Sequence, residues 1–296
     1  MTSPQAVFVG LTTLDVIQRV TSVPRWGRKG VSESGALFAG GPAANAAVTC
    51  AALLGSATLV TAVGVGAAAN VARQDLRRHG VQVIDCAPRG WALPIATCII
   101  RADGERTVLS PGATISDARL NLTAREAVAR AEALLIDGHH PLLAVEALDL
   151  TAGVKVLDAG STKTHVEPWL GKFDAVVCSA DYVPQPETRG GSVTRHVLDA
   201  GAGAVIVTHG SGPVQWQRQG GPKRSVDPPQ VEAKDTLGAG DAFHGALIAG
   251  LLRGSPPLQS LDTAIQLAVA TASLRCSVVG ARSWLKQLPK TRRPLP

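Results

Sequence analysis

The chain has 296 residues, which is long enough to bury one large core or two modest ones. Its hydrophobic fraction of 45% and charged fraction of 18% are ordinary for a soluble globular protein. The net charge of +6 favours small anionic ligands, whereas short basic clusters without interleaved aromatic residues argue against nucleic acid as a partner.

The cysteines and the apolar segments indicate a cytoplasmic protein without a membrane partner. The five cysteines are scattered and form no Cys-x-x-Cys pair, which is typical of thiols in a reducing compartment. The N-terminus lacks the pattern of a signal peptide. The uncharged stretch over 36–72 is long enough for a membrane span, but Pro42 and several glycines interrupt it. A buried helix followed by a buried strand explains this stretch better.

The first part of the chain predicts strands around two helices. Apolar runs at 6–10 and 57–63 predict buried strands, and the run at 14–20 predicts a more exposed one. Pro42 and Gly55 delimit a helix predicted over 43–54, and a second helix is predicted over 67–79. Asp103-Gly104, within 95–109, predicts a hairpin with a two-residue turn.

After residue 120, strands and helices alternate regularly. Strands are predicted at 133–137, 154–158, 173–179 and 204–210, and helices at 123–132, 141–151 and 191–200. This alternation predicts a parallel sheet covered on both faces. The strand-like runs at 14–20, 35–39 and 95–109 do not fit it, so we expect them to form a small sheet over the active edge. The tail LPKTRRPLP is expected to fray.

The stretch DTLGAGDAFHGAL (235–247) predicts an anion site at the start of a helix. The helix N-terminus carries unpaired N–H groups, and glycine lets a phosphate approach the backbone closely. Asp241, in the first turn, has two interpretations: it interacts with the helix dipole, or it acts as a general base beside a phosphate. The chain contains neither a Walker A loop nor a complete dinucleotide fingerprint.

The stretch GGPAAN (40–45) is a second candidate site. It predicts either a tight turn that begins a core helix or a platform for a polyhydroxylated ligand, with Asn45 as a hydrogen-bonding side chain.

Together, GGPAAN and DTLGAGDAFHGAL resemble the paired signatures of the PfkB/ribokinase family of carbohydrate kinases. The branch with ketohexokinase and the sulfofructose kinases is the most similar. The resemblance implies an α/β fold: one ribokinase-like three-layer α/β/α domain over 1–296, with a mostly parallel central sheet and a small β-sheet lid. The lid strands would come from about 12–39 and 92–112.

The resemblance implies an ATP-dependent sugar kinase that uses Mg²⁺, with ketoses or furanosides favoured as acceptors. Asp241 would be the catalytic base, and the amides of Gly238, Ala239 and Gly240 would form the anion hole. Thr236 and Asp235 would shape this turn. In some relatives the position of Asp235 also lies near a monovalent cation such as K⁺, which leaves such a cofactor open here.

The resemblance also assigns the two ligand sites. The expected sugar-binding residues are Asp15, Gly40, Gly41, Asn45, Arg106 and Lys29. The expected nucleotide-binding residues, besides Thr236 and Asp235, are Thr208, Gly210 and Gly212, and the segment 264–280 would wall the adenine.

The chain departs from the family pattern after the strand at 173–179. Many relatives carry Asn-x-x-Glu there, and the glutamate helps to organise hydrated Mg²⁺. In this chain Ser179 and Tyr182 take those positions and Asp181 is the remaining acid, so the metal ligands stay unknown.

Two alternative functions and the oligomeric state remain open from the sequence. A nucleoside kinase of the same fold would need an aromatic pocket, for which Trp26 or Trp91 could serve. A catalytically inactive sugar-binding or regulatory protein could use the same scaffold. Since small sheets with free edges tend to be covered, we expect a homodimer formed through the lid strands.

Overall fold

A computed structural model describes residues 5–111, 117–184 and 192–288. Parts of four predictions lie outside these residues. They are the ends and two internal segments of the domain predicted over 1–296, residue 112 of the predicted lid, residue 191 of the helix predicted over 191–200, and all but Leu288 of the predicted frayed tail.

The strands are β1 (Ala6–Val9), β2 (Thr13–Val20), β3 (Ser34–Gly40), β4 (Ala57–Thr61), β5 (Val81–Asp85), β6 (Ile95–Arg101), β7 (Arg106–Leu109), β8 (Ala133–Ile136), β9 (Val154–Ala159), β10 (Ala175–Ser179), β11 (Ala204–His209), β12 (Gly212–Arg218) and β13 (Lys223–Val226). The helices are α1 (Pro42–Leu54), α2 (Ala67–Arg78), α3 (Leu122–Ala129), α4 (Pro141–Leu150), α5 (Val193–Asp199), α6 (Ala239–Arg253) and α7 (Leu261–Ser277). Short 3-10 segments lie at Thr164–Lys172, Pro257–Ser260 and Ser283–Gln287.

The central sheet has nine strands in the order β13-β12-β11-β10-β9-β8-β1-β4-β5. All neighbours from β5 to β11 pair in parallel, and only β12 and β13 pair antiparallel at one edge. The predicted mostly parallel sheet is therefore confirmed. The polar edge strands β12 and β13 were not apparent from sequence, because their polar residues resemble a loop as much as a half-exposed strand.

Two hydrophobic cores cover the two faces of this sheet. Along β1, Ala6 and Phe8 face the core formed with α1, α2, α6 and α7, whereas Val7 and Val9 face the core formed with α3, α4 and α5. Burial on both faces explains why the central strands are continuous apolar runs. The predicted three-layer α/β/α arrangement is confirmed.

A second sheet has four strands in the order β3-β2-β6-β7, and we call it the lid. β2 and β6 pair in parallel, and the other two pairs are antiparallel. The predicted two-residue turn between β6 and β7 is wrong. Arg101 N donates to Glu105 O at 2.8 Å, which encloses three residues, and Gly104 adopts a left-handed φ of 85°. Glycine at the third loop position is typical of three-residue hairpins.

Candidate active site

The turn before α6 places an acid beside exposed backbone amides. Gly238 is the N-cap of α6 with a φ of 74°, a left-handed conformation that a side chain would strain. Asp241 lies in the first helical turn, where N–H groups lack partners within the helix. The amide of Ala239 donates to Thr236 O at 3.3 Å, so Thr236 closes the turn from behind. We call residues 235–241 the catalytic turn, after the role that the sequence predicts for Asp241.

Close packing of α1 against α6 joins the two sequence signatures. A Cβ added to Gly245 would lie 2.2 Å from Ala46 O, so the two helix backbones approach each other more closely than side chains would permit. As a result, Asn45 on α1 reaches the catalytic turn, and its Nδ2 donates to Asp241 Oδ2 at 2.8 Å. Two residues 196 positions apart in sequence therefore share one site.

The environment of Asp241 suits a proton acceptor near neutral pH. Burial raises the pKa of this carboxyl to about 7, and the negative charges of Asp158, Asp15 and Asp137 act in the same direction. The hydrogen bond from Asn45 offsets part of the effect. A general base works best when its pKa is close to the operating pH.

Asp15 is a second carboxylate of the site, and two glycines make room around it. Thr13 Oγ1 donates to Asp15 Oδ1 at 2.6 Å. A Cβ on Gly40 would lie 2.1 Å from the Asp15 carboxyl, and a Cβ on Gly41 would lie 2.3 Å from Leu11 O. Burial raises the pKa of Asp15, while the Thr13 hydroxyl and the Arg282 charge oppose the rise. The glycines of GGPAAN thus allow a half-buried carboxylate to sit against the backbone.

Arg282 is a site residue that the sequence did not reveal. Its Nη1 donates to Asn45 Oδ1 at 3.0 Å, and its Nη2 donates to Ala39 O at 2.6 Å and to Asp75 Oδ2 at 3.1 Å. Burial alone would raise the pKa of Asp75, but His79 and Arg282 hold it below its usual range. Because Asn45 bridges Arg282 and Asp241, the guanidinium fixes the amide that orients the Asp241 carboxylate.

Asp137, at the end of β8, is a second residue that sequence reasoning missed. Its carboxylate accepts hydrogen bonds from the amides of Leu11, Ala43 and His139 at 2.9, 3.1 and 2.9 Å. Gly10 provides the space, since a Cβ there would lie 2.1 Å from Asp137 Oδ1. The carboxylate therefore ties the end of β1 to the start of α1, which carries Asn45.

The catalytic turn lies between two cavities. The first, which we call the inner pocket, is lined by Asp15, Asn45 and Gly238. The second, the outer cleft, is open and is lined by Ala239 and Gly240. A Cβ on Gly240 would meet no atom within 4 Å, so this part of the turn faces free space.

The outer cleft brings together most residues that were predicted to bind nucleotide. Its lining includes Thr208, Gly210 and Thr236, and Val269, Ala272 and Cys276 from the segment predicted to wall the adenine. Gly212 begins β12 and does not line this cleft. Asp235 is 1% exposed behind the turn, beside Arg275, and does not line the cleft either.

The two predicted basic residues have different positions. Arg106, on β7 of the lid, also lines the outer cleft, and its Nη1 donates to Thr236 Oγ1, so it connects the lid to the catalytic turn. Lys29 lies in the exposed connection between β2 and β3 and lines a hollow formed by lid residues. Asp15 is not part of that hollow, so the role predicted for Lys29 stays a prediction.

The segment after β10 has a structure of its own in place of Asn-x-x-Glu. Ser179 Oγ donates to Gly160 O at 3.0 Å, and the buried Tyr182 donates its hydroxyl to Glu167. Asp181 is exposed and lines the outer cleft. In the described part of the chain, no group of three or more His, Cys, Asp or Glu side chains is arranged to hold a metal ion.

The family model of the pfkB family carbohydrate kinases matches residues 3–188 and 191–288. This chain belongs to that family. It is therefore a carbohydrate kinase, a phosphotransferase with an alcohol group as acceptor, and the resemblance noted from sequence is confirmed.

Relatives of known name agree with this assignment. Ribokinase of Lactococcus lactis is 24% identical over 299 residues, which cover 97% of this chain and 95% of that protein. A putative ribokinase from Agrobacterium tumefaciens has a TM-score of 0.80 at 25% identity, with coverage of 96% of this chain and 94% of the other.

Ribokinase from Arabidopsis thaliana, solved with ribose and ATP, shares the fold with a TM-score of 0.72 at 20% identity; 96% of this chain and 98% of that chain are covered. These relatives are ribokinases, so the finer resemblance to the ketohexokinase branch stays a prediction. Among the described residues, no helix is both long and apolar enough to cross a membrane.

Proposed function

We propose that this pfkB-family kinase transfers the γ-phosphoryl group of ATP to a hydroxyl of a small carbohydrate, with a ketose or furanose favoured. The position of the catalytic turn carries this proposal. Gly238 lines the inner pocket and Gly240 lines the outer cleft, so a donor and an acceptor could meet at one set of amides. In-line phosphoryl transfer needs this placement, because attacking and leaving oxygens lie on opposite sides of the phosphorus.

Asp241 acts as the general base in this proposal. It takes the proton from the attacking hydroxyl as the sugar oxygen bonds to the γ-phosphorus and ADP leaves. A pKa of about 7 keeps a large ionised fraction at neutral pH and retains enough basicity to accept the proton. The amides of Gly238, Ala239 and Gly240 would bind the phosphoryl oxygens as charge develops on them.

The sugar would bind in the inner pocket. Asp15 accepts hydrogen bonds from sugar hydroxyls, and Asn45 positions the acceptor hydroxyl next to Asp241, to which it is already bonded. Gly40 and Gly41 keep the backbone close to the ligand. Arg106, which lines the outer cleft, would reach the acceptor from the lid beside Thr236.

ATP would occupy the outer cleft, with Thr208 and Gly210 near the phosphates and the apolar face of α7 against the adenine. Mg²⁺ neutralises phosphate charge when it is bound. Since Mg²⁺ is commonly held by substrate phosphates, water and one or two carboxylates, a preformed protein cluster is not required. Asp181, at the edge of the cleft, is the carboxylate that we assign to it.

The lid supports a proposed homodimer. Its edge strands are β3 and β7, and both carry exposed apolar side chains: Leu37 is 49% exposed and Leu109 is 60% exposed. Pairing of two lids would cover these residues and the free strand edges. Sedimentation velocity at micromolar concentration tests this, and a monomer alone would contradict it. The free state of all five cysteines supports a cytoplasmic location.

A coupled assay of ADP formation over a panel of pentoses, ketohexoses, sugar phosphates and nucleosides tests the function. We expect at least one furanose or ketose to raise ADP formation well above hydrolysis by water, with a phosphorylated product visible by mass spectrometry. If nucleosides alone are phosphorylated, the sugar assignment is wrong. If ligands raise the melting temperature but none is phosphorylated, the protein is a sugar-binding protein on a kinase scaffold.

A further inference from the structure

A buried arginine lies directly behind the catalytic turn. Arg275, in the last turn of α7, is 2% exposed. Its Nη1 donates to Asp235 O and to Val278 O, both at 3.1 Å, and its Nη2 lies 3.1 Å from Asp235 Oδ1. One carboxylate and two carbonyl oxygens thus converge on the guanidinium. Oxygen atoms of these two kinds are the ligands that hard metal cations prefer.

The same carboxylate shapes the start of the catalytic turn. Asp235 Oδ1 accepts a hydrogen bond from Leu237 N at 3.1 Å, and Oδ2 accepts one from Gly280 N at 3.0 Å. Asp235 is 1% exposed, so its negative charge needs a positive partner inside the protein. Whatever supplies that partner also holds the backbone that leads into Gly238.

We propose that Arg275 is a resident cation that takes the place of an inorganic monovalent cation beneath the catalytic turn, so that turnover does not require K⁺. The guanidinium contacts the oxygen atoms that such an ion would bind, and its charge would repel a second cation there. The residues present therefore do not fit the K⁺ that the family resemblance left open. Arg275 is a positioning residue: it acts on transfer through Asp235 and the turn.

The proposal rests on the proposed kinase activity, so one measurement uses turnover and another does not. Turnover is measured with KCl or tetramethylammonium chloride at constant ionic strength. We expect K⁺ to change wild-type turnover by less than about 2-fold. Arg275→Met leaves the oxygen atoms without a cation; we expect at least about 10-fold lower turnover without K⁺ and a saturable recovery with it.

The second measurement is thermal unfolding in the same two salts. K⁺ is expected to raise the melting temperature of Arg275→Met saturably and to leave the wild type unchanged, because only the variant has a vacant site. Arg253→Met is the matched control. Arg253 is also in the last turn of a helix and donates to a backbone carbonyl, Leu53 O at 3.1 Å, but it lies away from the turn. This variant should be insensitive to K⁺ in both measurements.

Three results would overturn the proposal. The first is wild-type turnover that rises more than about 5-fold with K⁺, or a saturable K⁺-specific rise in its melting temperature. The second is full turnover of Arg275→Met without K⁺. The third is a folded, impaired Arg275→Met that K⁺ does not rescue, which would make Arg275 a purely structural residue. If the variant does not fold, the wild-type measurements decide, and the unfolding data decide even if no acceptor is found.

Discussion

Asp241→Asn is the substitution that most directly tests the proposed base. Asparagine has nearly the same shape, and its amide oxygen can still accept the hydrogen bond that Asn45 Nδ2 donates at 2.8 Å. The fold and ATP affinity should therefore persist. The amide cannot accept the proton of the attacking hydroxyl, so kcat should fall by at least about 10²-fold, the lower end of the range for general acid–base catalysis.

The same substitution should stabilise the protein at high pH. The pKa of Asp241 rises from an ordinary value of 3.8 to about 7 in the folded state, so the folded protein favours the protonated carboxyl. Stability therefore falls as the pH rises from about 3.8 to about 7, the loss is fully present above pH 7, and asparagine removes it. At about 1.36 kcal/mol per pKa unit, the stability gained by Asp241→Asn at high pH is at most about 4 kcal/mol. Partial exposure of the side chain reduces the expected gain to about 1–2 kcal/mol.

The assay combines steady-state kinetics at saturating ATP with urea unfolding at pH 8 and pH 4. The stability gain of Asp241→Asn should be present at pH 8 and nearly absent at pH 4. Asp262→Asn is the control, since Asp262 also lies in the first turn of a helix but accepts hydrogen bonds from Trp216 and Arg224 far from the site. It should keep normal turnover. Near-normal kcat in Asp241→Asn would refute the assignment of the base.

Three further predictions follow from the site. Gly40→Ala places a Cβ 2.1 Å from the Asp15 carboxyl, so KM for the sugar should rise at least about 10-fold while KM for ATP stays constant; equal changes in both would contradict this. Arg282→Met should lower the free energy of unfolding in urea by about 3 kcal/mol and should also lower kcat/KM for the sugar about 10-fold. Arg73→Met breaks a different ion pair and should lower the free energy of unfolding without changing kcat/KM. Wild-type kcat/KM should rise as the pH passes about 7 and Asp241 loses its proton; a flat profile over this interval would argue against that ionisation.

The sequence predicted the parts of the site where a turn or a helix start requires glycine or proline. Gly238 marks the turn before α6, and Gly41-Pro42 marks the start of α1, because these backbone conformations demand particular residue types. The central sheet was predictable for a related reason. Strands buried on both faces have to be apolar throughout, and the alternation with helices then implies parallel pairing.

The supporting charges were not predictable in the same way. Arg282 and Asp75 are 207 positions apart, and nothing local distinguishes either from a solvated surface charge. Their role depends on burial and on partners from other elements. One feature of the sequence could have identified Arg275 as a buried residue: it is the only charged residue between Asp262 and Arg282. An isolated arginine in an apolar helix has to find a buried partner.

The contact between Gly245 and Ala46 has a consequence for synthesis of the enzyme on the ribosome. The small, apolar surface of α1 is made early, but the helix that covers it begins only at residue 239. Until most of the chain has emerged, that surface stays uncovered and the nascent protein is both inactive and prone to self-association. A truncation that ends before α6 should therefore yield insoluble protein, even though it would retain all seven parallel strands of the central sheet.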